Sequence, residues 1–284
     1  MAFSVTPFSN NGSSVLPPRT MMHQGQYLES PDKRYKLILQ DDMNLALFDH
    51  GAVAWVLDYN TPYTYQDRNP NSDLGNCFYT QGAAFMMDQI RKRTVATTIG
   101  VPLGSEVGAP DRIYLQLQND GNVVLVDAVP LWVNNAALPI LYDQPSIVIP
   151  PGTSLVPGKF YGVGNVALVF QGDGNLVVYG PNSSVVWASY SHNKGGTSCV
   201  MQGDGNLVIY TDKGVAIWNS KTSGNPDLAL RVQANGRMSI VKELPVWARF
   251  GYVPTVKPRR PLFYPDHGTG DLPTYGSWTW NNVF

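Results

Sequence analysis

The chain has 284 residues and a formal net charge of −1, from 20 basic and 21 acidic side chains, so no global field draws it to nucleic acid or anionic lipid. Charged residues make up only 14% and hydrophobic residues 43%, which excludes wholesale disorder. The 27 glycines and 22 prolines point to short strands joined by many turns, against helical bundles and coiled coils.

The N-terminal stretch MAFSVTPFSNNGSS has neither a basic n-region nor a continuous apolar h-region. A soluble protein without a cleaved secretory signal is therefore expected, and no apolar run reaches the length of a membrane span. The first recurring segment is LQDDMNLALF at 39–48, with Trp55 behind it. A looser segment, TQGAAFMMD at 80–88, follows after a polar stretch, DYNTPYTYQDRNPNSD at 58–73. Next comes LQNDGNVVLV at 117–126, followed by Trp132. The second half repeats the theme more faithfully. FQGDGNLVVY (170–179) precedes Trp187, MQGDGNLVIY (201–210) precedes Trp218, and a weaker VQANGRMSIV (232–241) precedes Trp247. Gln171, Gln202 and Gln233 recur every 31 residues, whereas Gln40, Gln81 and Gln118 are spaced by 41 and 37. SVLPPRTMMHQGQYL (14–28) also resembles SLVPGKFYGVGNVAL (154–168). Six units thus fall into two groups of three, the mark of duplication at two levels.

Within one unit Gln171, Asp173, Asn175, Val177 and Tyr179 alternate, which on a straight strand places them on one face. They would then spread over roughly 26 Å, too far for one small ligand. Asp173-Gly174 between apolar runs is a hairpin signal. A turn there brings Gln171 back beside Val177 and Tyr179, with Asp173 and Asn175 at the bend. The intervening Leu168, Phe170, Leu176 and Val178 then face inward. A unit of about 31 residues cannot bury its own apolar face, so units share a core. Propeller blades need ~40–45 residues, which favours two compact three-unit β domains. The repeat tryptophans are read as core plugs rather than ligand platforms, with Trp55 and Trp132 in the first domain.

The pattern Gln-x-Asp-x-Asn-x-Val-x-Tyr resembles the mannose-binding signature of the monocot mannose-binding, or bulb-type, lectins. With two such halves in tandem, and KELPVWARFG at 242–251, the chain resembles more narrowly the lectin-like bacteriocins of the L-type pyocin and putidacin group. The resemblance implies an all-β protein of two tandem β-prism domains, each of three hairpin-bearing units, plus a C-terminal extension. It implies that Asp and Asn bond the sugar O2, Gln the O3 and Tyr the O4, while Val packs on the ring. Carried over, Gln171, Asp173, Asn175, Val177 and Tyr179 make one carbohydrate site. Gln202, Asp204, Asn206, Val208 and Tyr210 make a second. Gln40, Asp42 and Asn44 are a weaker candidate, because Ala46 and Phe48 replace Val and Tyr. Gln118, Asp120, Asn122 and Val124 are another, because Val126 replaces Tyr. The units at Gln81 and at Asn235, Arg237, Ser239 and Val241 are expected to be scaffolding. Terminal strands exchanged between the halves are also implied.

Catalysis is not expected. Paired carboxylates for glycoside hydrolysis are missing, since Glu29, Glu106 and Glu243 are the only glutamates and none lies in an intact motif. His23, His50, His192 and His267 form no triad motif. The Asp-Gly-Asn runs lack the Gly-Gly-x-Gly-x-Asp repeat of calcium β-helices. Cys77 and Cys199 have no CxxC or Cys/His partner spacing, which excludes a cysteine zinc site; two free thiols in strands are expected, a long-range disulfide being the alternative. The basic clusters Arg91-Lys92-Arg93 and Lys257-Arg259-Arg260 are read as solvated surface. No cofactor and no metal are expected.

The boundaries expected are 1–140 for a domain with degenerate motifs, 141–252 for one with two intact motifs, and 253–284 for an extension whose Tyr275, Trp278 and Trp280 pack on a domain. The resemblance implies an antibacterial, monomeric protein released without a cleaved signal peptide and acting at the outer membrane of related Gram-negative bacteria. Its partners would be manno-configured polysaccharide, D-mannose or D-rhamnose-rich lipopolysaccharide, and an outer-membrane protein insertase. The alternative is a non-toxic mannose-binding lectin for adhesion or agglutination.

Overall fold

The computed structural model describes residues 6–41, 45–56, 76–80, 84–88, 93–97, 111–226 and 228–249. The stretch 58–73, the turn at Gln81, the basic clusters' Arg91, Lys92 and Lys257–Arg260, and the extension 253–284 lie outside the described residues.

The architecture is all-β, with nearly every strand pair antiparallel. A 3-10 turn, Pro181–Ser183, lies between two of its strands. The chain divides into two compact units, one of Met1–Asp127 with Leu244–Val283 and one of Ala128–Glu243. Two long strands, Val123–Val133 and Met238–Ala248, each cross that division.

In the first unit, Tyr27–Glu29, Tyr35–Leu39, Leu45–Asp49 and Ala52–Val56 form a meander in chain order. A second sheet contains Thr20–Met22 and the strands Asn76–Thr80, Ala84–Asp88 and Arg93–Thr97. A third pairs Val15–Leu16 with Ile113–Leu117, and the latter with Val123–Asp127. The Arg249 backbone N–H donates to the Val123 carbonyl at 2.8 Å, so residues near the end of the described chain complete this sheet. Alternation dictates the core: Tyr35, Leu37 and Leu39 point in while Lys36 and Ile38 are half-buried. Trp55 is buried in that core, and the Arg249 guanidinium lies over its ring at 4.7 Å.

The second unit repeats the scheme. Phe160–Val163, Val166–Phe170, Leu176–Tyr179 and Val185–Ala188 form one sheet. Thr153–Leu155, Gly196–Met201, Leu207–Thr211 and Ala216–Asn219 form another. Ser146–Ile149 pairs with Ala229–Gln233, which pairs with the start of Met238–Ala248. Leu168, Phe170, Leu176 and Val178 are buried in a single core with Leu207 and Ile209, as the alternation requires.

The tryptophans correct one expectation. Trp132 belongs not to the first unit but to the second, where it packs edge-to-face on Trp187 and Trp218. The three ring centroids are 5.5, 6.0 and 5.7 Å apart with interplanar angles of 66–85°, the T-shaped geometry that the ring quadrupoles favour. The cause is the long strand: its residues up to Asp127 serve one unit and those from Ala128 the other. The repeat's Trp is therefore delivered across the division. Trp247 lies on the reciprocal strand, in the part assigned to the first unit.

Candidate functional site

Each intact motif is a hairpin whose loop is fixed by its own backbone. Phe170 pairs with Leu176, and the Gln171 N–H donates to the Asn175 carbonyl at 2.8 Å. The Gly174 N–H closes a tighter turn onto the Gln171 carbonyl at 3.0 Å. Asn206 and Gly205 repeat both bonds with Gln202 at 2.8 and 3.1 Å. Gly174 and Gly205 have φ of 84° and 86°, the left-handed region that glycine enters without a Cβ penalty. The Asp side chain locks the bend: Asp173 Oδ1 accepts the Asn175 N–H, and Asp204 Oδ1 that of Asn206, each at 3.0 Å. Each Asp is exposed.

The turn carries Gln171 back along the strand Leu176–Tyr179. Its Nε2 donates to the Tyr179 hydroxyl at 2.8 Å, and Gln202 Nε2 does the same to Tyr210 at 3.0 Å. Residues eight apart in sequence thus meet, which a straight strand forbids. All four side chains are only half-buried. Each Tyr oxygen accepts from Gln and keeps its own proton, while Gln Oε1 and the second amide proton remain for other partners. Between Gln and Tyr lie Val177 and Val208, each 2% exposed.

Asn175 is oriented from behind. Its Oδ1 accepts the Ser191 backbone N–H at 3.2 Å and lies 3.0 Å from the Ser189 hydroxyl. A backbone N–H can point only at the amide oxygen, so Nδ2 faces the other way, as a donor. The Ser189 hydroxyl also accepts from the Leu176 N–H at 2.9 Å and sits 2.7 Å from Ser191 Oγ, which donates to the Gly174 carbonyl at 2.7 Å. In the second copy Ser220 and Thr222 do the same for Asn206, Leu207 and Gly205, at 2.6–3.3 Å. These Ser/Thr pairs were missed from sequence. Their signal was present two and four residues after Trp187 and Trp218.

Each hairpin therefore presents a cluster of preset donors and acceptors at the surface: an exposed carboxylate, an outward amide, a half-buried Gln and a phenol. That set can read neighbouring hydroxyls of a sugar ring.

The remaining copies are placed differently. Gln40 is half-buried, Ala46 is buried, and Asp42 and Asn44 lie outside the described residues. Gln118, Asn122 and Val124 form the same turn but are 3%, 0% and 1% exposed. The Tyr35 ring stands against Gly121 in that turn. Burial pushes the Asp120 carboxyl up from its ordinary pKa, against the backbone N–H of Asn122 which pulls it down. The third copy of the second unit is filled by its own chain. Gln233 clasps the Leu141 backbone, donating to its carbonyl at 2.7 Å and accepting its N–H at 3.2 Å. Asn235 donates to the Pro139 carbonyl at 2.8 Å, and Arg237 to that of Leu138. The side chains of this copy are thus committed to a strap over 134–142.

Among the described residues no group of three or more His, Cys, Asp or Glu could hold a metal ion, and no helix is long and apolar enough to cross a membrane. Glu243 is buried in an ion pair with Arg231, not aimed at the site. Cys199 is a buried free thiol within the strand Gly196–Met201. The side chain of Cys77 lies outside the described residues.

No protein-family model matches the chain, and no curated protein matches it. Solved structures do. A fetuin-binding agglutinin of Scilla campanulata, described as a two-domain lectin, aligns with a TM-score of 0.51 at 21% identity over 85% of this chain and 98% of its own. A Polygonatum cyrtonema lectin, solved with a monomannoside, aligns at 33% identity over 36% of this chain and 92% of its own, with a TM-score of 0.31. The mannose-specific agglutinin of snowdrop (Galanthus nivalis) bulbs, solved with methyl-α-D-mannoside, gives 30%, 35%, 92% and 0.31. The fold is one used by a two-domain lectin. The chain has the fold of the bulb-type lectins.

Proposed function

We propose that the chain is a tandem β-prism lectin whose second unit binds manno-configured sugars at two sites. The observation that carries this is the preset Gln–Tyr pair beside an oriented Asn and an exposed Asp, built identically twice. An axial O2 next to equatorial O3 and O4 distinguishes mannose and D-rhamnose. The bend supplies Asp173 or Asp204 with the Asn amide for O2, Gln for O3 and the Tyr hydroxyl for O4. No motif residue addresses O6, so the 6-deoxy sugar D-rhamnose is accepted as well as mannose. The fold is shared with a fetuin-binding two-domain lectin, in keeping with a carbohydrate-binding role. The buried copy at Gln118 and the partly lost one at Gln40 contribute little.

Calorimetric titration with methyl-α-D-mannoside and D-rhamnose tests this. Two equivalents should bind with Kd near ~1 mM, about −4 kcal/mol, and Asp173→Ala or Asp204→Ala should each remove one. Titration without binding well above ~1 mM, or equal losses from Asp120→Ala, would overturn it.

A second reading adds killing to binding. The segment KELPVWARFG, within the tandem arrangement, resembles lectin-like bacteriocins. On that reading the protein is released from the cell, gathers on D-rhamnose-rich lipopolysaccharide of related Gram-negative bacteria and acts at the outer membrane through the insertase. Spotting it on lawns of related strains decides: clear zones support the bacteriocin, whereas agglutination without growth inhibition leaves the lectin alone.

A further inference from the structure

The two intact sites share every motif residue, yet what borders them differs. The segment Ser189–Asn193 wraps the first bend. Ser189 and Ser191 are buried and bonded to Asn175 and Gly174, and the Asn193 N–H donates to the Asp173 carbonyl at 3.0 Å. Tyr190, between the two anchored serines, faces solvent with 69% of its surface exposed. It does so at φ 55°, a left-handed conformation that is uncommon for a bulky side chain. The second site has the same wrap, Ser220–Thr222, the same backbone at φ 60°, and Lys221 in place of Tyr190. The hairpin alone therefore does not demand an aromatic residue.

We propose that Tyr190 is an extension subsite for the saccharide residue next to the one held by the motif. The inference rests on the sugar reading above. If Tyr179, Gln171 and the Asp173–Asn175 bend meet O4, O3 and O2 in turn, the ring position following O2 is C1. The segment beyond Asp173 and Asn175 thus borders the anomeric substituent. A sugar held through O2, O3 and O4 can continue only through C1 or C6, so its C1-linked neighbour leaves past Tyr190. A pyranose presents an apolar face of C–H groups, and an exposed phenol fixed at its Cα offers a matching surface at small entropic cost. The ligand class is an uncharged α-linked manno- or rhamno-oligosaccharide terminus, bound at the first site with its second residue on Tyr190. The second site reads a single residue.

The test uses full-length protein with Asp204→Ala, so that only the first site titrates. Methyl-α-D-mannoside and α1,3-linked mannobiose are the probes. The disaccharide should bind roughly 2–10-fold more tightly, the range of one aromatic contact. Tyr190→Ala should erase that preference and leave the monosaccharide Kd unchanged, while Tyr190→Trp keeps it. In the reciprocal Asp173→Ala protein, Lys221→Tyr should create the preference at the second site. Thermal melts of each variant separate a lost contact from a lost fold. An equal preference with and without Tyr190, or none in the parent, overturns the subsite while leaving the sugar reading standing. Failure of the parent to bind the monosaccharide overturns the sugar reading and the subsite with it.

Discussion

The two glycines of each Gln-Gly-Asp-Gly-Asn bend have opposite tolerances, and the second bend shows this most sharply. A Cβ on Gly205 would lie 2.0 Å from the Asn225 carbonyl oxygen and 3.0 Å from a Leu228 methyl, at φ 86°. The left-handed backbone alone costs Gly205→Ala ~1–2 kcal/mol. Relieving the overlap means moving the Asn225 backbone, which adds ~1–3 kcal/mol of overpacking. That shift also breaks the 3.0 Å bond from the Asn225 N–H to the Asp204 carbonyl, worth ~0.5–1.5 kcal/mol. The total of ~3–6 kcal/mol is a large part of the ~5–15 kcal/mol that holds an ordinary domain. Gly203, two residues earlier, has nothing within 4 Å of its Cβ position and is not left-handed, so Gly203→Ala should be neutral or gain ~0.4–1 kcal/mol. Gly174→Ala, with its nearest atom at 2.8 Å, should fall between them. Thermal melts with sugar titration read the series: Gly205→Ala melts on the order of 10 °C lower and loses one sugar equivalent, while Gly203→Ala keeps both. Equal melting temperatures for Gly203→Ala and Gly205→Ala would refute the reasoning.

Trp132→Ala should destabilise the second unit, together with its sugar sites, by ~3–5 kcal/mol; denaturation followed by Trp187 and Trp218 fluorescence checks this, and an unchanged midpoint would count against the aromatic triad. At Asp49, the hydrogen bonds from Arg34, 2.8 and 2.9 Å long, hold the carboxyl down to about 2, with burial opposing and His50 assisting. A depressed pKa stabilises the fold above the unfolded value of ~3.9, and that contribution fades as pH falls through about 2. The gap in urea midpoint between the parent and Asp49→Asn should accordingly be constant from neutrality to weak acid and close below it; a gap that widens in acid would refute the assignment. Burial pushes the Cys199 thiol up to about 12, so peptide mapping after iodoacetamide at mild alkaline pH should find Cys199 unmodified in the native protein and modified in denaturant.

Much of this was legible in the sequence because the relevant interactions are local. The Asp-Gly bend in a run of alternating apolar residues determines which side chains face in, and Leu168, Phe170, Leu176 and Val178 do so. The meeting of Gln171 and Tyr179 follows from the same turn. What escaped the sequence reading depends on long-range pairing. Nothing between Val123 and Val133 announces that the strand serves one unit at its start and another at its end, so the sequence alone assigns Trp132 to the first core. Gln233 and Asn235 look merely decayed in sequence, and only the folded strap shows that their amides are committed to the backbone of Pro139 and Leu141. Ser189 and Ser191 orient Asn175 from fourteen and sixteen residues away, a distance at which a serine carries no signal beyond its repetition.

The closure of the first unit by the Arg249 backbone on Val123 has a consequence for how the protein is made. The two partners are separated by the whole of Ala128–Glu243. At ~5–20 residues per second, a ribosome needs roughly 6–25 s to travel between them. Throughout that interval the nascent first unit exposes an unpaired edge at Val123, of the kind that invites pairing with other chains. The second unit needs only residues already synthesised when Glu243 emerges, so it can finish first although it is encoded second. The whole chain should therefore complete its folding against the order of translation. A stop codon placed before Leu244 should leave a functional sugar-binding unit attached to an aggregation-prone half, not two independent lectins of which one is missing.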